Sequence, residues 1–195
     1  MIFFTADTHF GDDETIERES RPFRDLSEFE EVFISNVNSV ATENDVLYAL
    51  GDWINYNDRH HPDIREASEI TKRLNPDVIL IMGNDEDRIL NEVYGGDFEK
   101  MRSDLIEYGF AEVYKETDIE ISGIQLHLIH DPIDHKKDVL NLFGHTHRGT
   151  GLWKPFGLNV GLDLNHFRPF SENDILKLLK TKRDWWDKDP SVWCM

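Results

Sequence analysis

Side chains that can bind a metal follow two short apolar runs in this sequence. Asp7 and His9 come after "MIFFTA", and His145 and His147 come after "VLNLF" and one glycine. In each pair the two residues are separated by one position, and alternate residues of an extended chain point to the same side. A carboxylate and imidazoles directed together from strand ends indicate a metal site.

Three more apolar runs end in residues of the same chemistry. Asp52 in "GDW", Asn84 in "GND" and His130 in "QLHLIH" each follow such a run. Strand ends meet at one edge of an α/β sheet, where ligands usually bind. Taken singly, a strand-end Asp or Asn is more often a turn or cap residue, so the prediction of a metal site depends on the whole set. Oxygen and imidazole donors without a thiolate suit Mn²⁺, Fe, Zn²⁺ or Mg²⁺.

The runs themselves predict an α/β fold, because helical periodicity lies between the first three. Segment 25–42 predicts an amphipathic helix that begins with a capping box of Ser27 and Glu30. Segment 62–74 predicts a second helix, and a last helix has Ser171 as its N-cap. The second half of the chain is mostly strand and turn.

The length of 195 residues fits one domain, and no linker-like segment divides it. We predict a single domain over residues 1–182. Residues 183–195 contain three of the five tryptophans. This tail is predicted to pack on the domain, with a surface for a partner or for self-association as the alternative.

The charge and the cysteine content narrow the classes of partner. The net charge is −18, whereas nucleic-acid-binding proteins usually carry a basic surface, so we expect no long nucleic acid as a partner. No apolar run is long enough to span a membrane, and the first residues lack the basic region of a signal peptide. The single cysteine, Cys194, excludes an intramolecular disulfide, so we expect a cytoplasmic protein.

The ordered motifs Asp-x-His, Gly-Asp, Gly-Asn, His and Gly-His-x-His resemble those of the calcineurin-like metallophosphoesterase superfamily over nearly the whole chain. "DTHFG" followed by "RPF", and later "LNVGLDLNHFRPFSENDI", are similar to small single-domain bacterial and phage members. The resemblance implies two mixed β-sheets packed as a sandwich and flanked by helices. It also implies a dinuclear metal centre at the strand ends.

The resemblance implies a role for each candidate ligand. The residues expected to hold the first metal are Asp7, His9, Asp52 and His147. The residues expected to hold the second metal are Asp52, Asn84, His130 and His145, so that Asp52 bridges the two ions. A hydroxide between the metals would attack phosphorus. Manganese is the expected metal, with Fe, Zn, Ni and Mg as alternatives.

Two positions depart from the family pattern. Asp85 stands where the family has a histidine that protonates the leaving oxygen, and Asp12 stands where relatives often have a histidine at the mouth of the site. Three accounts of Asp85 stay open: the residue still donates a proton, the leaving group departs unaided, or another histidine serves. The unassigned histidines are His60, His61, His135 and His166. His127, within a strand, is expected to be a packed sheet histidine.

Arg148, beside His147, is a candidate for binding a phosphate. Together with Asp52, Asn84 and Asp85 it completes the predicted catalytic set. Arg21 and Arg24 are expected to pair with carboxylates instead. The predicted function is hydrolysis of phosphoesters, with diesters of small nucleotide-like molecules preferred. The alternatives are a phosphomonoesterase and a catalytically weak binding scaffold on the same fold.

Overall fold

The computed structural model describes residues 1–149, 152–153 and 157–181. The predicted tail, 183–195, and Cys194 lie outside these residues. The described strands, in chain order, are β1 Ile2–Thr5, β2 Val46–Leu50, β3 Asp77–Ile81, β4 Glu112–Tyr114, β5 Thr117–Ile121, β6 Ile124–Leu128, β7 Leu140–Phe143, β8 Leu152–Trp153, β9 Gly157–Asn159 and β10 Phe170–Ser171. The described helices are α1 Glu14–Arg18, α2 Leu26–Asn38, α3 Ile64–Glu69, α4 Asn84–Glu92, α5 Phe98–Tyr108 and α6 Glu172–Thr181.

These strands form two five-stranded mixed sheets. The first has the order β10-β1-β2-β3-β4, in which β1 to β4 are parallel and β10 is antiparallel to β1. The second has the order β5-β6-β7-β9-β8, in which β6, β7 and β9 are parallel and the two edge strands are antiparallel. In both sheets the parallel strands are neighbours, so several of their carboxyl ends meet at one edge.

Apolar side chains from both sheets pack between them. Successive residues of a strand face opposite sides, so Phe4 joins the cluster between the sheets while Phe3 joins the cluster under the helices. The cluster between the sheets consists of Phe4, Ala6, Leu50, Ile81, Ile121, Leu126, Leu128, Leu142, Leu158, Val160 and Ile175. The predicted sandwich of two mixed sheets flanked by helices is confirmed.

The predicted helices are present, with one error in the capping. α2 covers the first sheet with Phe29, Phe33 and Val37, as its periodicity indicates. It is capped by Asp25, whose carboxylate accepts the N–H of Glu28 at 2.9 Å, so the capping box at Ser27 was wrong.

The other two predicted helices agree with the structure more closely. The segment 62–74 forms α3 and then a 3-10 turn, Ile70–Arg73. The N-cap of α6 is confirmed, because the Ser171 hydroxyl accepts the N–H of Asp174 at 3.2 Å. No described helix combines the length and the apolar composition needed to cross a bilayer.

Candidate metal centre

The candidate ligands lie where the parallel strands of both sheets end. Asp7 follows β1, Asp52 follows β2 and Asn84 begins α4 directly after β3. His130 and His145 follow β6 and β7 of the second sheet. Hydrogen bonds join the sheets at this edge. Among them, the N–H of His145 donates to Asp7 Oδ1 at 2.8 Å, and His130 Nδ1 lies 2.8 Å from the carbonyl oxygen of Leu50.

One group of four ligand atoms converges beside His130. Asn84 Oδ1 lies 3.1 Å from His130 Nε2, 2.9 Å from His145 Nδ1 and 3.2 Å from Asp52 Oδ2. His130 Nε2 is also 3.3 Å from Asp52 Oδ2. Nδ1 of His130 faces the carbonyl oxygen of Leu50, so Nε2 is the nitrogen directed into the group. In the reversed orientation of the amide, the Asn84 nitrogen would instead donate to these three atoms.

A second group lies on the other side of Asp52. His9 Nε2 is 3.3 Å from His147 Nε2 and 3.8 Å from Asp52 Oδ2, and the two imidazole rings stack at 5.0 Å. Asp7 contributes Oδ2, a buried atom without a hydrogen-bond partner. The donor atoms of Asp7, His9 and His147 lie within 4.8 Å of one another. The structure therefore brings together all seven predicted ligands.

This donor set fits two divalent cations. The buried, unpartnered Asp7 Oδ2 is a costly arrangement without a positive charge nearby. Asp52 takes part in both groups, as the resemblance implies. Carboxylate, amide and imidazole donors suit Mn²⁺, Fe or Zn²⁺.

The backbone of the site is held in a rare conformation. A positive φ is found at five of the predicted ligands: Asp7 (61°), His9 (54°), Asp52 (51°), His145 (66°) and His147 (46°). A left-handed conformation at a residue other than glycine destabilises the folded state by on the order of 1–3 kcal/mol, and such residues are frequent at functional sites. The concentration here indicates that the fold maintains these conformations to aim the side chains inward.

Glycines allow the strand ends to approach. A Cβ atom on Gly51 would overlap the His130 ring and lie 2.7 Å from the Cα of Gly83. A Cβ atom on Gly83 would overlap the Asp52 carboxylate. Gly51 is thus required by the close contact of the end of β2 with His130 of the second sheet, and Gly83 by the close contact between the ends of β2 and β3.

Carboxylates face the far nitrogens of the ligand histidines. Asp85 Oδ2 lies 3.2 Å from His9 Nδ1. Glu19 Oε2 and Asp163 Oδ2 lie 3.3 Å and 3.7 Å from His147 Nδ1. A hydrogen-bonded outer partner, as Asp85 is for His9, fixes the tautomer and orientation of a metal-binding imidazole, whereas the carboxylates near His147 act on it through their charge.

Glu86 organises the loop after β2. Its buried carboxylate accepts the backbone N–H groups of Asp52, Trp53, Ile54 and Gly83 at 2.8–3.3 Å. Burial and the charge of Asp52 raise the pKa of Glu86 to about 8, although the backbone N–H groups oppose this shift.

Arg21 and Asp163 form a fully buried ion pair behind the site. Arg21 Nη2 lies 3.0 Å from Asp163 Oδ2. The same guanidinium donates to the carbonyl oxygens of Asp7 at 2.6 Å and Thr8 at 2.8 Å. It therefore supports the left-handed backbone at the first ligand, and its expected pairing with a carboxylate is confirmed.

The charges of the cluster shift its own pKa values. Burial lowers the pKa of His130, but the charge of Asp52 outweighs burial and raises it to about 10. Burial raises the pKa of Asp7. The pKa of Asp52 is lowered, because the nearby His130 and His9 outweigh its burial. Without cations, a proton on His130 balances part of the carboxylate charge.

Two clefts flank the cluster. One, of about 440 Å³, is lined by His9, His145 and His147 together with Arg18 and Arg59. The other, of about 420 Å³, is lined by Asn84, His130 and polar residues that include Asp131 and Lys115. A larger cleft of about 630 Å³, between α2 and α3, contains none of the candidate ligands.

Other predicted residues lie outside the cluster. Arg148 is exposed, donates to the carbonyl oxygen of Ser20 at 2.8 Å and lines neither flanking cleft, so its catalytic role stays a prediction. His127 is buried and its Nδ1 lies 2.8 Å from Asp118, which confirms a packed sheet histidine. Asp12 was expected at the mouth, but it is buried and Arg18 lines the cleft instead.

Sequence reasoning missed residues whose partners are distant in the chain. Glu19, Asp163 and Glu86 support ligands, and Arg18 and Arg59 line the cleft. The spacing of Gly83 and Glu86, which matches a helix N-terminus, could have indicated the role of Glu86.

Comparisons with known proteins agree with this fold. No protein-family model matches the chain. An uncharacterized protein of Methanocaldococcus jannaschii is 28% identical over 190 residues, covering 92% of this chain and 91% of that protein. The crystal structure of a protein of unknown function from Aquifex aeolicus has a TM-score of 0.63 and 26% identity, covering 91% and 98% of the two chains. Yfce, a phosphoesterase from E. coli, has a TM-score of 0.41 and 18% identity, covering 82% and 78%.

Proposed function

We propose that this protein is a phosphoester hydrolase that uses two divalent cations, with Mn²⁺ as the preferred metal. The observation that carries the proposal is the position of Asp52. Its Oδ2 lies 3.3 Å from His130 Nε2 and 3.8 Å from His9 Nε2, between the two groups of ligand atoms. A pair of cations held close together is a recurring device for displacement at phosphorus. The motifs that resemble metallophosphoesterases support the same reaction.

The chain supplies the ligands and their orientation. Asp7, His9 and His147 would hold one cation, and Asn84, His130 and His145 the other, with Asp52 shared. Bound there, the cations would supply positive charge for the phosphate oxygens and a water molecule acidic enough to lose a proton near neutral pH. The buried strand ends keep the ligand atoms at fixed positions, so little reorganisation is needed during the reaction.

Phosphodiesters of small molecules are the proposed substrates. The imidazoles that line the larger flanking cleft are His9, His145 and His147, each of them a candidate ligand. None of these is left to protonate a leaving group, and the Asp85 carboxylate is directed at His9. A leaving group that departs as a stable anion is therefore favoured. The cleft of about 440 Å³ suits a small substrate, and the net charge of −18 disfavours long nucleic acids.

Metal content and turnover test the proposal together. The chain is stripped of metal, reconstituted with Mn²⁺ and assayed on bis(p-nitrophenyl) phosphate, p-nitrophenyl phosphate and glycerol phosphate. We expect two ions per chain and the highest kcat/KM on the diester. Asp52→Asn should lose both ions and lower activity by more than the roughly 100-fold that loss of an outer partner costs.

Asp118→Asn is the matched control, because Asp118 contacts a histidine outside the site. It should keep both ions and full activity. A protein that binds two ions at these residues and hydrolyses none of the three esters would contradict the proposed function.

A further inference from the structure

Two arginines line the cleft beside the candidate ligands. Arg18 and Arg59 are the positively charged residues of its wall, which also contains the acidic Glu14, Glu19 and Asp85. In a chain with a net charge of −18, two arginine side chains in the wall of an acidic cleft are unusual. Guanidinium groups at such a place suit an anionic ligand, and phosphate above others.

The guanidinium of Arg18 is held in a fixed position. Its Nη1 donates to Asp12 Oδ2 at 3.1 Å, its Nη2 to Thr15 Oγ1 at 2.8 Å and its Nε to Glu19 Oε1 at 3.2 Å. A guanidinium has five N–H groups, so two remain, one on each terminal nitrogen. The side chain is 43% exposed. Arg18 is therefore oriented in advance, with two donors left for a ligand.

Asp12 connects Arg18 to the segment that carries Arg59. The side-chain amide of Asn55 donates to the Asp12 carboxylate, and His60 Nδ1 lies 3.9 Å from it. The turn around Arg59 is closed by backbone hydrogen bonds between Asn57 and His60 at 3.0 and 3.1 Å. No described carboxylate forms an ion pair with the Arg59 guanidinium. The buried carboxylate of Asp12 thus contacts both the Arg18 guanidinium and residues of the segment that carries Arg59.

Arg18 stands beside the ligand cluster rather than inside it. Glu19 separates the two, because its Oε1 accepts from Arg18 and its Oε2 lies 3.3 Å from His147 Nδ1. That nitrogen faces away from His9, whose Nε2 lies 3.3 Å from the other nitrogen of the His147 ring. An anion on Arg18 is therefore a different group from the phosphate that reacts among the ligand atoms.

We propose that Arg18 and Arg59 form a subsite for a second phosphate group of the substrate. The proposal rests on the proposed hydrolase and narrows its substrates to phosphodiesters that carry a further phosphate. Arg18 and Arg59 bind this group and do not take part in the bond that breaks. Asp12 is a positioning residue that holds Arg18 toward the cleft.

Matched substrates test the subsite. Thymidine 5′-(p-nitrophenyl phosphate) and the same ester with a 3′-phosphate release the same leaving group. We expect the Mn²⁺-loaded wild type to prefer the second ester by about 10-fold or more in kcat/KM, as one charge-assisted contact provides. Arg18→Gln and Arg59→Gln should each remove most of this preference, with little change on the first ester. Arg24→Gln removes the same charge from an exposed pair with Asp25 and should keep the preference.

Two results would overturn the subsite. One is a wild type without preference between the esters. The other is an Arg18→Gln variant that loses the same factor on both esters, which would place Arg18 on the reacting phosphate.

A binding measurement separates the subsite from the hydrolase. Inorganic pyrophosphate is titrated calorimetrically into the metal-free full chain, where we expect Arg18→Gln, but not Arg24→Gln, to weaken binding about 10-fold. Binding that depends on Arg18, without hydrolysis of either ester, would refute the hydrolase and keep the subsite. Hydrolysis of both esters at equal rates, with pyrophosphate binding unchanged in Arg18→Gln, would refute the subsite and keep the hydrolase.

Discussion

The carboxylate of Asp85 faces His9 Nδ1, on the side of the ring away from Asp52 and His147. If His9 binds a metal through Nε2, its Nδ1 carries the hydrogen, and Asp85 accepts it. The backbone N–H of Asp85 also donates to Asp52 Oδ1 at 3.0 Å. These contacts give Asp85 an orienting task that the sequence comparison with the family histidine did not suggest.

Substitution of Asp85 should therefore act through metal affinity. Asp85→Ala removes the acceptor and should weaken Mn²⁺ binding by about 10–100-fold. Asp85→Asn keeps an oxygen at the same place and should lose much less. Competition with a fluorescent chelator measures both. Asp118→Ala breaks a similar contact to His127 outside the site and should change nothing. Equal losses of Mn²⁺ affinity in Asp85→Ala and Asp85→Asn would show that Asp85 supports metal binding through its charge and not by orienting His9.

Single residues differ in how far the sequence predicts them. Asp7 and His130 could be predicted as site residues, because each follows a strand in the chain and the strand sets its place. Asp163 could not, because its partner Arg21 is 142 residues away and nothing near it marks the pair. Arg18 was missed for a similar reason: its direction depends on the buried Asp12, which the sequence places at the mouth.

At the scale of elements, the strand ends of β2 and β3 meet with no room for a side chain at Gly83. Its φ is −104°, so an alanine would suffer from the contact with Asp52 and not from its backbone conformation. We expect Gly83→Ala to cost about 1–3 kcal/mol of unfolding free energy, as overpacking does, and to reduce metal content because Asp52 must move. Urea unfolding and metal analysis measure these effects.

Gly123→Ala is the control for Gly83→Ala. Gly123 lies between β5 and β6 at φ +78° with no atom near an added Cβ. Its substitution should cost about 1–2 kcal/mol through backbone strain alone and leave metal content unchanged. Normal metal binding in Gly83→Ala would show that the strand ends can separate without harm to the site.

The buried pair of Arg21 and Asp163 joins the segment after α1 to the turn after β9. Arg21→Met leaves Asp163 buried without its partner and should lower the free energy of unfolding by about 3–5 kcal/mol at pH 7. Burial raises the pKa of Asp163, but His147 and Arg21 outweigh it, so the pKa lies below 3.8. The stabilisation is therefore present above pH 3.8 and lost as the pH falls further.

The difference in unfolding free energy between the wild type and Arg21→Met should accordingly become smaller when urea unfolding is repeated below pH 4. Arg24→Met is the control, since its pair with Asp25 is exposed and should contribute about 1 kcal/mol or less. A loss in Arg21→Met that stays constant from pH 7 to pH 3 would mean that packing, and not the ion pair, stabilises this junction.

At the scale of the whole molecule, the α/β character and the edge that carries the site could be predicted from runs and turns, whereas the sandwich of two mixed sheets was implied only by the resemblance that the motif order carries. The wrong predictions concern features for which neighbouring residues of the sequence are about equally suited. Asp25 and Ser27 can both cap a helix, and Asp25 does so here. Several residues of the site, such as Asp52 and His145, have a left-handed backbone conformation. The periodicity of apolar residues in the sequence does not predict such conformations.

The charge of the molecule also governs how cations enter the site. A net charge of −18 favours the approach of protons and cations in general. His130 gains a further, local attraction for a proton from the nearby carboxylate of Asp52. Its pKa of about 10 means that it carries a proton at pH 7 when no metal is bound. The pKa of His147 is raised as well: burial lowers it, but Asp163 and Asp7 outweigh burial. A metal can bind these nitrogens only after the protons leave.

Mn²⁺ binding should therefore release about one to two protons per chain at pH 7, and the affinity should fall as the pH falls. Calorimetric titration in two buffers of different ionisation enthalpy gives the number, because the observed heat changes with the heat of buffer protonation. His127→Asn, which removes a buried histidine outside the site, should release as many protons as the wild type. His130→Asn should release fewer, because the main carrier of the proton is absent. Binding heats that are independent of the buffer would show that His130 is already neutral in the metal-free protein, and that Asp52 does not hold a proton on it.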